Sequence, residues 1–211
     1  RKNLAVEEDD NVLSLLKART DVVVIFGKSW DLHIREILRT SEENNLELVY
    51  DTVNFFKKKD KELIFDAEHF FDGFKANRDC AVNVLKTADA AGADSLCLCD
   101  TNGGCTPDEI LRITREIVGL FPGRQIGIHC HNDMGCAVAN SMLAVDVGAS
   151  QVQGTFIGIG ERCGNADLSV IVPNLQLKQG YACVNSNLSR LSDAVYAISE
   201  ICNMPVPLNK P

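Results

Sequence analysis

The sequence predicts an α/β fold built on a parallel sheet, and three observations lead to this prediction. Five short runs rich in β-branched and apolar residues recur along the 211-residue chain, at 22–26, 62–65, 95–99, 125–129 and 151–155. The stretches between them repeat apolar residues every three or four positions, as amphipathic helices do. The spacing between runs suits a strand, a helix and two loops, which is longer than a hairpin needs. We therefore predict five βα units.

The helices are predicted in order from the periodic stretches and from the signals at their ends. They cover 7–19, 31–45, 78–91, 107–120, 135–147, 168–177 and 188–202, and a further helix within 46–59 precedes the second strand. Asn77 and the pair Thr106-Pro107 are typical helix starts. Glycines at 92, 123 and 148 are typical of positions just after a helix. These signals define helix boundaries and support the βα repeat.

A closed barrel and an open doubly wound sheet both fit this alternation. Polar or small residues follow every strand, and five neighbouring strands with functional residues at the same end favour the mouth of a barrel. An eight-unit barrel takes about 250 residues, so we predict a (β/α)8 TIM barrel of which this chain holds about the last five units. Residues 1–203 are assigned to the C-terminal portion of that barrel, and residues 204–211 to the start of a linker.

Composition disfavours several classes of function. A formal net charge of −8 disfavours nucleic-acid binding. We find no apolar stretch long enough to cross a bilayer and no signal-like start, so we expect a cytoplasmic protein without a membrane partner. The nine cysteines are odd in number and contain no Cys-x-x-Cys pair. We interpret them as reduced packing residues and set aside a structural zinc site made by their thiolates.

His129 and His131 are the strongest candidate site in the sequence. They flank Cys130 at the end of a predicted strand, and the period of two places both imidazoles on one face, as a pair of metal ligands. Two hydrogen-bonded histidines in a polar strand end are the alternative. Asn132 and Asp133 follow directly and are predicted to orient the imidazoles by accepting hydrogen bonds. The next strand leads into the glycine-dense segment 158–165, which we predict to be a functional loop.

Several motifs resemble one enzyme family. The segments GIHCHND at 127–133 and GERCGNA at 160–166 closely resemble those of the isopropylmalate, homocitrate and citramalate synthases. The segments FGKSW at 26–30, FDAEHFFDG at 65–73 and CDTNGG at 99–104 resemble the citramalate synthase branch most. The resemblance runs from the first strand to the end of the chain. It implies a metal-dependent barrel acyltransferase, related to hydroxymethylglutaryl-CoA lyase, that condenses acetyl-CoA with a 2-keto acid.

The resemblance also implies further properties of the enzyme. Pyruvate is the favoured keto acid and citramalate the favoured product, in isoleucine biosynthesis. A homodimer is expected, with small molecules as the partners. The family's metal ligands correspond to His129, His131 and Asn165, and this ligand set is compatible with Zn, Mn, Co or Mg. The family also uses an aspartate ligand and an arginine in a first-strand motif that this chain does not contain.

The same resemblance implies roles for Glu68 and Thr101, and their neighbours in the sequence are further candidates. Glu68, Thr101 and Asp66 are the catalytic candidates, and Thr101, Thr155 and Arg162 are the substrate-binding candidates. By strand alternation Asp66 and Glu68 share a face, so we expect them to share a hydrogen-bond network. Arg162 is expected to pair with Glu161 or Asp167, in a site-shaping or purely structural role. Lys28 is interpreted as a solvated lysine, and His33 and His69 as residues without a catalytic role.

Three alternatives remain open at this point. Another keto acid would make the protein an isopropylmalate or homocitrate synthase. A carbon–carbon lyase acting on a CoA ester is the second alternative, because Cys163 lies in the glycine-rich loop and related lyases use a cysteine nearby. A non-catalytic barrel portion is the third, because the first-strand aspartate and arginine are not in this sequence.

Overall fold

The computed structural model describes residues 4–210, which form a parallel sheet of five strands with helices packed against it. The strands are β1 (Val22–Lys28), β2 (Glu62–Glu68), β3 (Ser95–Asp100), β4 (Gln125–Cys130) and β5 (Gln151–Gln153). Each strand pairs in parallel with the next one along the chain, in the order β1-β2-β3-β4-β5. A doubly wound sheet would reverse this order at a switch point. The unbroken order is that of a barrel, which confirms the predicted fold class.

Nine α-helices lie within the described residues. They are α1 (Asp10–Lys17), α2 (Asp31–Glu36), α3 (Glu42–Lys57), α4 (Phe70–Ala76), α5 (Arg78–Ala90), α6 (Pro107–Leu120), α7 (Ala137–Asp146), α8 (Leu168–Leu177) and α9 (Leu191–Cys202). Short 3-10 turns cover Val6–Glu8, Phe156–Gly158 and Asn185–Arg190. Between residues 4 and 210, none of the helices is long and apolar enough to span a bilayer.

The predicted helix starts are confirmed by their caps. The Thr106 hydroxyl accepts a hydrogen bond from the backbone N–H of Glu109, whose side chain accepts one from the backbone N–H of Thr106, and Pro107 is the first helical residue of α6. Asn77 caps α5 by accepting from the backbone N–H of Cys80 at 3.2 Å. Gly148 ends α7 with a φ of 111°, a conformation that disfavours residues with a Cβ.

The prediction of one helix across 31–45 is wrong. The helix α2 stops at Glu36, and α3 begins after Ser41, whose hydroxyl accepts from the backbone N–H of Asn44 at 3.2 Å. Ser41 followed by two glutamates is a complete helix start, so the periodic pattern spans two helices. The helix α4 was not predicted, because seven residues are too few to show a clear period. The last strand, β5, ends at Gln153 and is two residues shorter than expected.

The two faces of the sheet differ in how they are packed. Leu63, Phe65 and Ala67 of β2 are fully buried in the main core, with side chains from the helices. The opposite face carries the alternate residues, and Ile64, Cys97 and Cys99 form a small separate cluster there. On the edge strand β1 this face is open, and the Phe26 side chain is 71% exposed. This second face is the one that would line the interior of the barrel.

The tail after α9 returns to the sheet. Lys210 forms an ion pair with Asp167, the residue that caps α8. The Asp167 carboxylate also accepts hydrogen bonds from the backbone and hydroxyl of Ser169, at 2.9 and 2.6 Å. The last described residues are therefore attached next to the glycine-rich loop.

Candidate active site

The candidate residues lie at the carboxyl end of the sheet, where parallel strands present their loops at one edge. Glu68 is the last residue of β2, Asp100 the last of β3 and Cys130 the last of β4. His131 follows β4 directly, and its backbone N–H donates to the carbonyl of Asp100 at 3.1 Å. Since parallel strands all end at this edge, the geometry gathers side chains from distant parts of the chain.

His129 and His131 lie side by side, with ring centroids 5.2 Å apart and ring planes inclined by 37°. Nδ1 of His129 is 2.8 Å from Oε1 of Gln153, which leaves its Nε2 available to a ligand. His131 is 9% exposed, and its Nδ1 atom is buried with no hydrogen-bond partner among the described residues. Burial lowers the pKa of His131, and the neighbouring His129 adds to this effect. Both effects favour the neutral imidazole, the form that binds metals.

Asn165 is brought to His131 by backbone pairing. The two residues form an antiparallel bridge, and the backbone N–H of Ala166 donates to the carbonyl of Cys130 at 2.9 Å. The Asn165 side chain donates through Nδ2 to the carbonyl of Ile159 at 3.1 Å. Its Oδ1 atom is buried and has no hydrogen-bond partner among residues 4–210. The amide is thus held with its acceptor oxygen free for a ligand.

The loop geometry depends on glycine at one position. Gly164 has a φ of 91°, and a Cβ at this position would lie 2.1 Å from the carbonyl oxygen of Gly158. The backbone N–H of Asn165 donates to that same carbonyl at 3.1 Å. A residue larger than glycine would therefore push the Asn165 strand away from His131.

These three side chains fit a divalent cation. Two imidazoles on one ion, with metal–nitrogen bonds of about 2.0–2.1 Å, place their ring centroids on the order of 5 Å apart. The observed separation is 5.2 Å. A buried ring nitrogen and a buried amide oxygen without partners are costly unless a ligand satisfies them. The donor set of nitrogen and oxygen is compatible with Zn, Mn, Co or Mg.

The residue that orients His129 is Gln153, and the prediction that Asn132 and Asp133 do so is wrong. The Asn132 carbonyl oxygen Oδ1 accepts from the backbone N–H of Ala137 at 3.1 Å, at the start of α7. Asp133 forms an ion pair with Arg162. The sequence contained a signal for the role of Gln153, because Gln151 and Gln153 occupy alternate positions of β5. Polar residues on one face of a covered strand point into the barrel.

Gln153 also connects His129 to Asp66. The Nε2 atom of Gln153 donates to Oδ1 of Asp66 at 2.8 Å. Burial raises the pKa of Asp66, whereas the hydrogen bond from Gln153 and the nearby His129 lower it. The net effect is a raised pKa. Asp66 thus lies one side chain away from the candidate metal ligands.

Glu68 has a different partner, so the expectation of a network shared by Asp66 and Glu68 is wrong. The Glu68 carboxylate forms an ion pair with Lys28, whose side chain is only 16% exposed. The interpretation of Lys28 as a solvated lysine is also wrong. The register pairs Lys28 with Glu68 across β1 and β2, which brings the two side chains to the same face.

An aromatic cluster lies at the same end of these strands. The ring centroids of His33 and His69 are 4.3 Å apart, and Trp30 stacks on His33 at 4.7 Å. His69 Nδ1 lies 3.1 Å from Oδ2 of Asp72, which also accepts from Asn102 Nδ2 at 2.9 Å. These contacts hold the loops that follow β1, β2 and β3 together.

Thr101 and Arg162 join three loops at the mouth. The Thr101 hydroxyl oxygen accepts from the backbone N–H of His69 at 2.8 Å, so its own proton remains available to donate. The Thr101 carbonyl accepts from Arg162 Nη2 at 2.7 Å. Arg162 also binds both carboxylate oxygens of Asp133, at 2.8 and 3.0 Å. The guanidinium thereby clamps the loops after β3 and β4 to the glycine-rich loop.

The expected partners of Arg162 are found in part. Glu161 lies 3.6 Å away, but Asp167 pairs with Lys210, and the bidentate partner Asp133 was not predicted. The Thr155 hydroxyl donates a hydrogen bond to the carbonyl oxygen of Ile159 at 2.5 Å. This bond supports the loop that carries Asn165, so the geometry favours a loop-shaping role for Thr155.

Residues 4–198 match the HMGL-like protein family. The chain is 52% identical over 212 residues to the (R)-citramalate synthase of Aquifex aeolicus, covering 100% of this chain and 40% of that protein. It is 34% identical over 185 residues to the 2-isopropylmalate synthase of Pseudoalteromonas atlantica, covering 85% of this chain and 35% of that protein.

Among solved structures, the HMG-CoA lyase of Bacillus subtilis matches with a TM-score of 0.80 and 22% sequence identity, covering 94% of this chain and 69% of that chain. At this identity the match shows a shared fold. The chain spans about two fifths of the length of the Aquifex aeolicus relative.

Proposed function

The chain belongs to the HMGL-like family, and from this premise we propose that the protein containing it condenses acetyl-CoA with a 2-keto acid. Pyruvate is the proposed keto acid and (R)-citramalate the proposed product. The observation that supports this proposal most is the group formed by His129, His131 and Asn165. In this group a buried ring nitrogen and a buried amide oxygen have no hydrogen-bond partner among the described residues. The preference for pyruvate is supported by 52% identity to a citramalate synthase against 34% to an isopropylmalate synthase.

The proposed mechanism assigns each chemical demand to a group at the mouth. His129, His131 and Asn165 would hold a divalent cation, whose charge makes the keto carbon of the substrate electrophilic. The Thr101 hydroxyl, which already accepts a hydrogen bond from the backbone N–H of His69, would donate a hydrogen bond to the keto-acid carboxylate. Gln153 and Asp66 would keep the His129 ring in one orientation.

Glu68 is proposed to handle the proton of the acetyl group, either directly or by orienting the acetyl-CoA thioester. Its carboxylate is held by Lys28, which fixes it in place at the end of β2. Condensation removes one proton from the acetyl methyl group and forms a carbon–carbon bond to the keto carbon, while the carbon–oxygen π bond breaks and the former keto oxygen takes up a proton. Water then cleaves the thioester and releases free CoA, so the reaction runs toward the synthesised acid.

Further properties of the whole protein belong to the same proposal. Arg162 and Thr155 would shape the substrate site through the glycine-rich loop, and residues 204–211 would form the start of a linker. The first-strand aspartate ligand and arginine of the family would come from residues outside this sequence. A cytoplasmic homodimer acting in isoleucine biosynthesis is the expected context.

The lyase alternative has one observation in its favour. Cys163 lies exposed in the glycine-rich loop, next to the clamp made by Arg162. A lyase would cleave a CoA ester into a ketone or keto acid and an acyl-CoA without hydrolysing a thioester. Release of free CoA therefore distinguishes the two reactions.

The test measures free CoA thiol released by the full-length protein from acetyl-CoA. Pyruvate, 2-oxoisovalerate and 2-oxoglutarate are supplied separately, with and without a chelator. We expect chelator-sensitive release with pyruvate, and its loss in the variants His129→Ala and Asn165→Ala. Asn44→Ala, on the exposed face of α3, is the control. A folded, metal-loaded protein that releases no CoA with any of these keto acids would contradict the synthase proposal and favour the lyase.

A further inference from the structure

A second group of possible metal ligands lies on the interior face of the sheet. It consists of Asp66, Cys97 and Cys99, whose ligand atoms all lie within 4.8 Å of one another. Cys97 is fully buried and Cys99 is 6% exposed. None of the three is a candidate ligand of the site formed by His129, His131 and Asn165. We propose that Asp66, Cys97 and Cys99 form a binding site for a thiophilic divalent cation such as Zn²⁺.

The strand register explains why the three residues meet. Asp66 of β2 is paired with Cys97 of β3, so their side chains leave the sheet on the same face. Cys99 lies two residues further along β3 and shares that face. The Cys-x-Cys spacing on one strand therefore places both thiols on the same face. A thiolate site of this kind does not need the Cys-x-x-Cys pair that the sequence lacks. The carboxylate comes from a neighbouring strand.

The next strand leaves room for the thiol of Cys97. Cys97 is paired with Gly127 of β4, and a Cβ at Gly127 would lie 2.9 Å from Oε1 of Gln151 and 3.2 Å from the Cys97 sulfur. Glycine at this position makes room for both the Cys97 thiol and the Gln151 side chain. Neither thiol forms a disulfide, and the Cys99 sulfur lies 3.9 Å from the carbonyl oxygen of Cys97. The Cys97 thiol also contacts the Asp66 carboxylate and the Cys99 thiol, and weak thiol hydrogen bonds of this kind can be exchanged for bonds to a cation.

The chemistry of the three groups favours a soft metal. Ligand atoms around tetrahedral zinc, with zinc–sulfur bonds of about 2.3 Å, lie on the order of 3.8 Å apart. A spread of up to 4.8 Å needs only small side-chain rotations to reach that geometry. Thiolates select Zn²⁺ and similar ions, whereas hard ions such as Mg²⁺ prefer oxygen. The Asp66 carboxylate, which accepts a hydrogen bond from Gln153, also supplies the oxygen ligand that a zinc site with two thiolates can use.

A cation that binds at this site replaces protons on the thiols. Burial raises the pKa of the Cys97 thiol well above its ordinary value, so this thiol is neutral before the ion arrives. Each cation that binds as a dithiolate releases two thiol protons and bonds to two sulfur atoms and one carboxylate oxygen. A water molecule can occupy the fourth position, as in zinc sites with three protein ligands.

The site would be coupled to His129 through Gln153. Gln153 donates to Asp66 and contacts His129, each at 2.8 Å. A cation that bonds to the Asp66 carboxylate withdraws negative charge from it and weakens the hydrogen bond that it accepts from Gln153. Occupancy of the thiolate site would therefore disturb the orientation of His129.

The test titrates the full-length protein with Cd²⁺ and follows the ultraviolet charge-transfer band of cadmium thiolates, which does not depend on catalytic activity. We expect the variants Cys97→Ser and Cys99→Ser to weaken the binding that produces this band by at least about tenfold, the lower limit for loss of a group that supports a metal site. Cys80→Ser, which removes a buried thiol on α5, is the matched control. Asp66→Asn should also weaken binding while the band remains.

Cd²⁺ bound at the proposed site accounts for the part of the absorption band that disappears in the Cys97 and Cys99 variants but remains in the Cys80 variant. If the double variant Cys97→Ser/Cys99→Ser keeps the wild-type band and affinity, the proposal is overturned. Circular dichroism establishes that each variant is folded, and Cys97→Ala replaces Cys97→Ser if the serine variant is not. Because CoA release is not the readout, this outcome is independent of the proposed function.

Discussion

Nδ1 of His129 lies 2.8 Å from Oε1 of Gln153, a contact between the ends of two neighbouring strands. The pairing of β4 with β5 places the two residues opposite each other. The same glutamine donates to Asp66 on β2, so three strands contribute to the orientation of one imidazole. Second partners of this kind fix which ring nitrogen faces a metal.

Replacement of Gln153 by Leu tests this relationship. Leucine cannot hold the His129 ring, so we expect the affinity for Mn²⁺ or Co²⁺ to fall by about 10- to 100-fold. Isothermal titration of the metal-free protein measures the change. Gln151→Leu is the control, since Gln151 is on the same face of β5 and accepts instead from Ser95, at 2.9 Å. Equal affinities in the two variants would show that Gln153 does not orient a ligand.

The clamp between Arg162 and Asp133 is tested by a double-mutant cycle. The side chains of Arg162 and Asp133 are 43% and 27% exposed, so solvent screens the pair strongly. We expect a coupling energy of about 0.2–1 kcal/mol between Arg162→Met and Asp133→Asn, measured on kcat/KM of the full-length protein. Arg162→Lys should behave like Arg162→Met, because lysine cannot bind both carboxylate oxygens. Strictly additive effects would mean that the clamp does not shape the site.

Ionisation of Asp66 is expected to cost stability. Burial raises its pKa above the ordinary value of 3.8, so the unfolded chain loses this proton at a lower pH than the folded protein. The stability that protonated Asp66 gives the folded protein is complete at pH values below the ordinary pKa of an aspartate. It is lost as the pH rises through the raised pKa of the folded protein. Relative to Asp66→Asn, the wild type should therefore lose stability over that interval and then stay constant. Urea unfolding at several values between about pH 4 and 8 measures the difference. Parallel curves would contradict this expectation.

Gly73 tests the packing that holds the β1 end against α4. A Cβ at Gly73 would lie 2.2 Å from the backbone carbonyl oxygen of Ser29, and the Ser29 hydroxyl donates to the carbonyl of Glu68 at 2.7 Å. We expect Gly73→Ala to lower the free energy of unfolding by about 1–3 kcal/mol, because backbone must move. Gly119→Ala, in the helix α6 with nothing within 4 Å of the added Cβ, should raise it by up to about 1 kcal/mol. Thermal unfolding that ranks the two variants in the opposite order would show that the contact with Ser29 is easily relieved.

The sequence alone determined the type of fold and the main metal-ligand candidates. Apolar periodicity is a local property, so the βα repeat and most helix ends could be predicted, and Thr106 and Asn77 cap helices as their types predict. His129 and His131 share a face because strand geometry repeats every two residues. The short helix α4 and the break after α2 were missed, since neither produces a long period.

Only the tertiary structure decided which side chains meet. Gln153 contacts His129, Lys28 pairs with Glu68, and Asp133 pairs with Arg162 because strand register and loop packing bring together residues far apart in the chain. The same register places Asp66 beside Cys97 and Cys99. Hydrogen bonds and ion pairs depend on distances of a few ångströms across neighbouring strands, and a sequence pattern specifies the face of a residue but not its partner on the next strand.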